Sequence, residues 1–493
     1  MYYVLSVDQS TSATKAYLWD EQGRQTSGAS ILHRQIINER GWVEHDPREI
    51  LRNVLLACRN AITGARVDPA AVVALGISNQ RETVVCWDAV TGEPLYNAVV
   101  WQCGRASELV RSLEADGVAE TVRAISGLPL SPFFSAAKLG WLVKNVSEVQ
   151  DAMTLDRLRV GTIDAWLVDR LCGQFRTDLS NASRTQLLNL DTLQWDEELL
   201  RIFGLRGNCL PELCMSDSLF GETDLDGLLP REIPLHGVLG DSHAALLFNR
   251  CFAKGQGKVT YGTGSSVMLN AGKTRPRNAK GLATSLAWAR HNTVSYALEG
   301  NINYAAATLN WMCDDLGLVE RVENMEALAA GITDTGGVYL VPAFSGLGAP
   351  WFDNSIRAGI VGMNRTTRKA QVVRAALESI AYQVTDVVDA MTSALGTPPT
   401  RLCADGGPTH NGFLMQFQAD MLRFPLYLNR MSECSAAGAA LCAAEASGFC
   451  NPEQTFRTGQ SVVVPKESMA TRDQRYLGWL NAIHTLQDKG APT

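Results

Sequence analysis

Tyr3-Val4-Leu5-Ser6-Val7-Asp8-Gln9-Ser10-Thr11-Ser12-Ala13-Thr14-Lys15-Ala16-Tyr17-Leu18-Trp19-Asp20 is the stretch from which the architecture is read. Two apolar runs flank a short segment of small, hydroxyl-bearing residues, the pattern of a β-hairpin. Glu21-Gln22-Gly23-Arg24 turns the chain toward a third strand. Pro47-Arg48-Glu49-Ile50 opens an amphipathic helix to about Gly64, and Ala71 to Ser78 reads as a buried strand. Strands alternating with helices predict an α/β fold. The opening pattern returns mid-chain, with Gly257-Lys258-Val259-Thr260-Tyr261, the turn Gly262-Thr263-Gly264-Ser265-Ser266, and Val267-Met268-Leu269-Asn270. Two such hairpins, about 250 residues apart, predict two related halves. The boundary is expected near residues 245–255, giving domains 1–249 and 250–493.

Length and composition agree. The chain has 493 residues, and at roughly 100–200 residues per domain that implies two to four domains. Hydrophobic residues make up 46% and charged residues 19%, which excludes disorder as the main state. Lys plus Arg is 44 and Asp plus Glu is 51, a net charge of −7 that argues against a nucleic-acid or anionic-membrane binder. No apolar run approaches the ~18 residues of a membrane span. The first residues show neither a basic n-region nor a small-residue cleavage site, so a cytoplasmic protein is expected. The twelve cysteines form no Cys-x-x-Cys pair and read as reduced thiols.

Several turns carry chemistry. In the first hairpin turn, backbone N–H groups and the hydroxyls of Thr11 and Ser12 suit phosphate oxygens, with Lys15 beside them. Asp8, at the strand end, is placed to hold Mg²⁺ through water. Such turns also form for local reasons. Paired with Gly262-Thr263-Gly264 as a two-sided clamp, the phosphate reading gains weight. Ala404-Asp405-Gly406-Gly407-Pro408 precedes a helix beginning near Phe413, and the glycine pair allows a bend and close backbone approach. Asp241 follows an apolar strand and precedes an Ala/Leu-rich helix. It reads either as a helix N-cap or as a general base in a cleft between two halves. Arg81 and Glu82 offer fixed donors and an ionised acceptor to a molecule bearing several hydroxyls, and Trp101 could cover its carbon chain. The alternative for these three is an exposed ion pair and a core tryptophan.

Together these segments resemble the FGGY carbohydrate kinases, and within them the glycerol kinases. The resemblance covers nearly the whole chain. It rests on Asp8-Gln-Ser-Thr-Ser, Gly41-Trp-Val-Glu-His-Asp-Pro47, Ser78-Asn-Gln-Arg-Glu-Thr83, Tyr96-Asn-Ala-Val-Val-Trp-Gln102, Asn181-Ala-Ser-Arg184, Tyr261-Gly-Thr-Gly264, Tyr296-Ala-Leu-Glu-Gly300, Val341 to Pro350 and Leu377 to Gln383. Two longer family signatures fit Phe133 to Asn145, with Lys138 and Trp141, and Ala358 to Glu378. The resemblance implies two actin-like (ribonuclease-H-like) ATPase domains with ATP·Mg²⁺ and substrate in the cleft between them. It implies that Asp8, Thr11, Ser12 and Lys15 face phosphates and metal, and that Thr263 and Gly264 clamp from the other side. Gly407 and Asn411 match adenosine-side positions, and Asn310 stands where the family often has Gln. Asp241 matches the catalytic base, and Arg81, Glu82 and Trp101 match the glycerol-binding set. The implied activity is phosphorylation of a terminal hydroxyl of a small polyol, glycerol to glycerol 3-phosphate. The implied assembly is a homodimer or homotetramer.

Three positions depart from the glycerol-kinase pattern. Phe133 stands for a substrate-bonding Tyr, Ser242 for a Gln, and Ser266 for a Phe that packs on glycerol's carbons. The direction is a roomier pocket, which raises an alternative acceptor, a four- or five-carbon polyol or ketose. A further alternative is a non-catalytic, nucleotide-gated binding protein on the same fold. Asp226 to Glu232 lacks the Gly-Thr-Arg pattern of the fructose-1,6-bisphosphate loop in enterobacterial relatives, so no inhibition by that ligand is expected.

Overall fold

Each hairpin read from the sequence seeds one central sheet. The computed structural model describes residues 1–429, 431–449, 455–456 and 459–489. The first sheet contains β1 (Tyr3–Gln9), β2 (Ala13–Trp19), β3 (Gln25–Leu32), β4 (Val72–Asn79), β5 (Gly221–Thr223) and β6 (Ile233–Gly240), in the order β5-β6-β4-β1-β2-β3. β1, β2 and β3 form an antiparallel meander, whereas β1, β4 and β6 run parallel. The second sheet contains β7 (Gln256–Tyr261), β8 (Ser265–Gly272), β9 (Ala283–Arg290), β10 (Thr293–Ile302), β11 (Arg401–Asp405), β12 (Leu426–Asn429) and β13 (Gln460–Val463). Its order is β9-β10-β8-β7-β11-β12-β13, again a meander through β7, β8 and β10 followed by parallel β7, β11 and β12. The shared topology makes the two halves related units, with actin-like α/β domains as their fold.

Local chemistry explains the elements. Helix α1 (Pro47–Ala65) starts where the Asp46 carboxylate accepts from Arg48 N at 2.8 Å and Pro47 occupies the first turn. Its apolar face, including Ile50, Val54, Ala57 and Ala61, joins the core over the first sheet. Helix α2 (Lys369–Leu395) is the spine of the second half and is buried over most of its length. Asp386 on α2 accepts from Trp351 Nε1 at 2.9 Å, Trp479 Nε1 at 2.9 Å and Tyr476 Oη at 2.7 Å, fastening the last helix, Met469–Lys489.

The halves interlock. Helix Cys434–Ala446, late in the chain, packs against β1, β4 and β6 of the first sheet and against the helix Asp241–Phe248. Its Ala- and Gly-rich surface permits this: a Cβ at Gly438 would overlap the carbonyl oxygen of Ala244. From the second sheet, Thr284 N donates to Gly127 O at 2.9 Å and Leu286 N to Ser183 Oγ at 3.0 Å. Among the described residues no helix is long and apolar enough to cross a membrane.

Candidate active site

Parallel strands that end side by side bring their following turns together, and open α/β sheets bind ligands beyond those carboxyl ends. β1 ends at Asp8-Gln9, β4 at Ser78-Asn79 and β6 at Leu239-Gly240, in register across the sheet. Beyond them lie the Thr11–Ser12 turn, Arg81–Glu82 and Asp241. The β7–β8 turn of the other half faces them. The space between is a cavity of about 870 Å³. Its wall includes Thr11, Ser12, Arg81, Glu82, Trp101, Phe133, Asp241, Ser242, Thr263, Gly264 and Ser266.

One face is built from charged and hydroxyl side chains. Arg81 Nε donates to Asp241 Oδ1 at 2.9 Å, and Arg81 Nη2 to Ser242 Oγ at 3.2 Å. Behind them Arg81 makes a bidentate pair with buried Glu299, at 2.8 and 2.9 Å. Glu82 pairs with Arg184 at 2.6 Å. So Arg81 and Glu82 are not an exposed pair: both are buried, and each has a partner from elsewhere in the chain. Glu82 sits at φ +61°, a strained conformation for a side-chain-bearing residue, of order 1–3 kcal/mol. Burial raises the pKa of Glu299, but Arg184, Arg81 and the hydrogen bond outweigh it and hold the carboxyl below its usual range.

Asp241 is not the N-cap. Gly240 holds that position, and Asp241 opens the helix Asp241–Phe248. Its carboxylate accepts from Ser242 N at 2.5 Å, and its side chain is 35% exposed toward the cavity. Gly240 N donates to Ser180 Oγ at 3.1 Å, which fixes the strand end that delivers it. A second face is aromatic: Trp101 and Phe133 meet edge to face at 5.3 Å. Trp101 Nε1 donates to Thr11 Oγ1 at 2.8 Å, tying this wall to the first turn. Lys138, fully buried, donates to the carbonyls of Phe133 and Phe134, and burial depresses its pKa to about 7.

The two turns form the remaining side of the cavity. A Cβ at Gly264 would overlap the Ile302 carbonyl, so only glycine lets the backbone lie there. Thr263 O accepts from Ala305 N at 2.9 Å and Ala307 N at 3.1 Å, joining this turn to the helix Ala306–Asp314. Asp8 is buried, accepts from Ser78 Oγ at 2.7 Å, and is pushed up to about 6 by burial. Among the described residues no cluster of His, Cys, Asp or Glu could hold a metal alone. Lys15 Nζ pairs with Glu433 at 2.8 Å, a partner the sequence reading did not name.

Five of the sequence-derived residues lie off this wall: Asp8, Lys15, Asn310, Gly407 and Asn411. Asn310 is exposed on the helix that starts at the second turn. Gly406, at φ +98°, packs on the Tyr261 backbone and holds exposed Gly407 beside that turn. Asn411 caps the helix Gly412–Leu422, accepting from Leu414 N at 2.9 Å. The sequence reading missed Glu299, Arg184 and Lys258 as site groups. Lys258 is buried and donates to Thr260 Oγ1 at 2.9 Å and Ser266 Oγ at 3.5 Å. A charged residue inside an apolar strand, as at Lys258 and Glu299, was the available signal.

Comparison with known proteins identifies the family. The N-terminal domain profile of the FGGY family of carbohydrate kinases matches residues 3–248, and the C-terminal domain profile matches residues 257–447. The chain belongs to the FGGY family of carbohydrate kinases. Among its relatives is glycerol kinase 1 of Thermotoga maritima, 45% identical over 489 residues and covering 98% of this chain and 99% of that one. Glycerol kinase of Symbiobacterium thermophilum is 43% identical, covering 98% and 97%. The crystal structure of Plasmodium falciparum glycerol kinase with ADP superimposes with a TM-score of 0.93 at 32% identity, covering 99% of this chain and 98% of that one.

Proposed function

We propose that the protein transfers the γ-phosphoryl group of ATP to a terminal hydroxyl of glycerol. The observation that carries this is the convergence of Arg81, Glu82 and Asp241 on one wall of a cavity faced by the Gly262–Gly264 turn. Arg81 and Glu82 hold the hydroxyls, and Trp101 and Phe133 cover the carbons. Asp241 accepts the proton of the attacking hydroxyl as its oxygen bonds to phosphorus and the bond to the β-phosphate oxygen breaks. The products are ADP and a phosphate monoester. Thr11, Ser12, Thr263 and Gly264 cradle the phosphates, with Lys15 beside them. Gly407, Asn411 and Asn310 border the adenosine. Asp8 would hold Mg²⁺, which when bound would supply charge neutralisation at the phosphoryl oxygens. Closure of the halves excludes water, so phosphoryl groups are not lost to hydrolysis. Family resemblance supports a cytoplasmic homodimer or homotetramer.

A second acceptor reading has its own support. The Ser242 and Ser266 hydroxyls line the cavity, and Ser266 Oγ donates to Glu299 Oε1 at 3.1 Å. That polar floor suits a four- or five-carbon polyol or ketose. The test is ADP release with ATP·Mg²⁺ and glycerol, erythritol, threitol, erythrulose, dihydroxyacetone, xylulose or ribulose. Highest kcat/KM with glycerol supports the main reading. A longer acceptor in first place replaces it, and no ADP release with any acceptor sinks both.

A further inference from the structure

A second cavity, of about 440 Å³, opens on the first half and shares no lining residue with the first. Volumes of this size hold small organic ligands. Its frame is rigid. Arg105 is buried and pairs with Glu44 at 2.5 Å. Its guanidinium lies 4.7 Å from the centre of the Trp42 ring and 5.0 Å from that of Trp141. The two indoles meet edge to face at 5.2 Å. Arg40 lies 5.2 Å over Trp42, and exposed Arg111 also lines the cavity.

The charges are what make this cavity informative. Arg105 is neutralised by Glu44. Arg40 and Arg111 have no carboxylate partner among the described residues, and the wall carries one further acid, Glu108. A chain of net charge −7 thus presents two unpaired guanidiniums beside two indole surfaces. Planar guanidinium forks match the oxygens of phosphate bidentately, and a phosphate dianion carries charge and oxygens enough for two of them.

We propose that this cavity binds a small phosphate monoester, its phosphate between Arg40 and Arg111 and its carbon portion against Trp42 and Trp141. Occupancy is felt at the acceptor wall. Trp101 and Gln102 line the catalytic cavity while Gly104 and Arg105, in the same segment, line this one. Phe133 lines the first, and the helix Ser135–Asn145 that follows carries Trp141 and Asn145 into the second. Cys103 Sγ, between them, accepts from Val43 N at 3.4 Å and Arg105 Nε at 3.2 Å. The binding proposal is independent of which acceptor the enzyme uses.

The test is calorimetric titration of the full-length protein with glucose 6-phosphate at physiological ionic strength, with ADP and glycerol present to occupy the catalytic cavity. Inorganic phosphate and glucose are run in parallel. One-site binding of glucose 6-phosphate is expected, tighter than phosphate, with glucose silent. Arg40→Gln/Arg111→Gln should weaken it about tenfold or more, and Glu108→Gln should tighten it. Neither variant should alter kcat in the absence of the ester. Adding glucose 6-phosphate should shift the KM of the best acceptor at least about twofold in the parent and not in the double variant. No binding, or binding unchanged in the double variant, overturns the site. Equal binding of phosphate and its ester overturns the role of the indoles. Binding with an unshifted KM overturns the coupling.

Discussion

Glu299→Gln tests whether the buried charge network orders the acceptor site. Glu299 is 1% exposed and receives Arg81 at 2.8 and 2.9 Å and Ser266 Oγ at 3.1 Å. Arg184 Nη1 lies 2.9 Å away, in charge contact though off the hydrogen-bonding angle. Glutamine keeps nearly the same shape but turns an NH₂ group toward guanidinium N–H groups, so donors face donors. It also leaves two buried guanidiniums with one carboxylate fewer. Removing one partner of a buried pair costs about 3–5 kcal/mol. At a few degrees per kcal/mol for a unit of about 250 residues, Tm should fall on the order of 10 °C. Arg81 loses its bidentate anchor, and a misaligned charged hydrogen bond to substrate is worth about 1.5–3 kcal/mol. The acceptor KM should therefore rise about tenfold or more, while ADP affinity stays unchanged because none of Glu299's hydrogen bonds goes to Thr11, Ser12, Thr263 or Gly264. Calorimetry gives the first number, steady-state ADP release the second, and nucleotide titration the third. A Tm within about 2 °C of the parent together with an unchanged KM would show that Arg81 is held by Asp241 and packing alone, and the reasoning would fail.

Asp241→Asn keeps an acceptor oxygen for Ser242 N and Arg81 Nε but cannot take a proton; kcat should fall about 10²–10⁴-fold with ATP binding intact, and surviving turnover would remove it as the base. Ser266→Phe fills the floor of the cavity, so kcat/KM for four-carbon acceptors should fall relative to glycerol, and an unchanged ranking in the ADP-release panel would deny Ser266 a role in selection. Asp386, raised to about 6 by burial against an ordinary 3.8, binds its proton more tightly folded than unfolded. It therefore supports the fold most fully below pH 4, and that support drops by about 3 kcal/mol as pH rises to 6. Asp386→Asn should flatten this part of the stability–pH curve, as followed by urea denaturation; an unchanged slope would place the titration elsewhere.

Both hairpins were legible because a short turn between alternating apolar runs is a local signal, and their recurrence exposed the paired halves. Asp8, Thr11, Arg81 and Asp241 were legible for a related reason, since each stands at or just beyond the end of a buried strand. What stayed hidden was pairing. Arg81 and Glu82 are neighbours in sequence, yet Arg81 turns to Glu299, 218 positions on, and Glu82 to Arg184, 102 positions on. Asp241 shows the other kind of ambiguity. An acid before an Ala/Leu-rich segment suits a cap, and only the backbone path, with Gly240 taking that position, frees its carboxylate for the cavity.

The linear chain thus specified the strand–turn–strand units, the α/β class and the residue types gathered at strand ends, because alternation and turn chemistry act over a few residues. Which charges neutralise one another, how helix Cys434–Ala446 locks onto the first sheet, and that Arg40 and Arg111 stand beside Trp42 and Trp141 without a carboxylate partner among the described residues came from the folded arrangement. Those outcomes depend on burial and on contacts between segments a hundred or more residues apart, and a buried charge takes whichever partner the packing brings within reach.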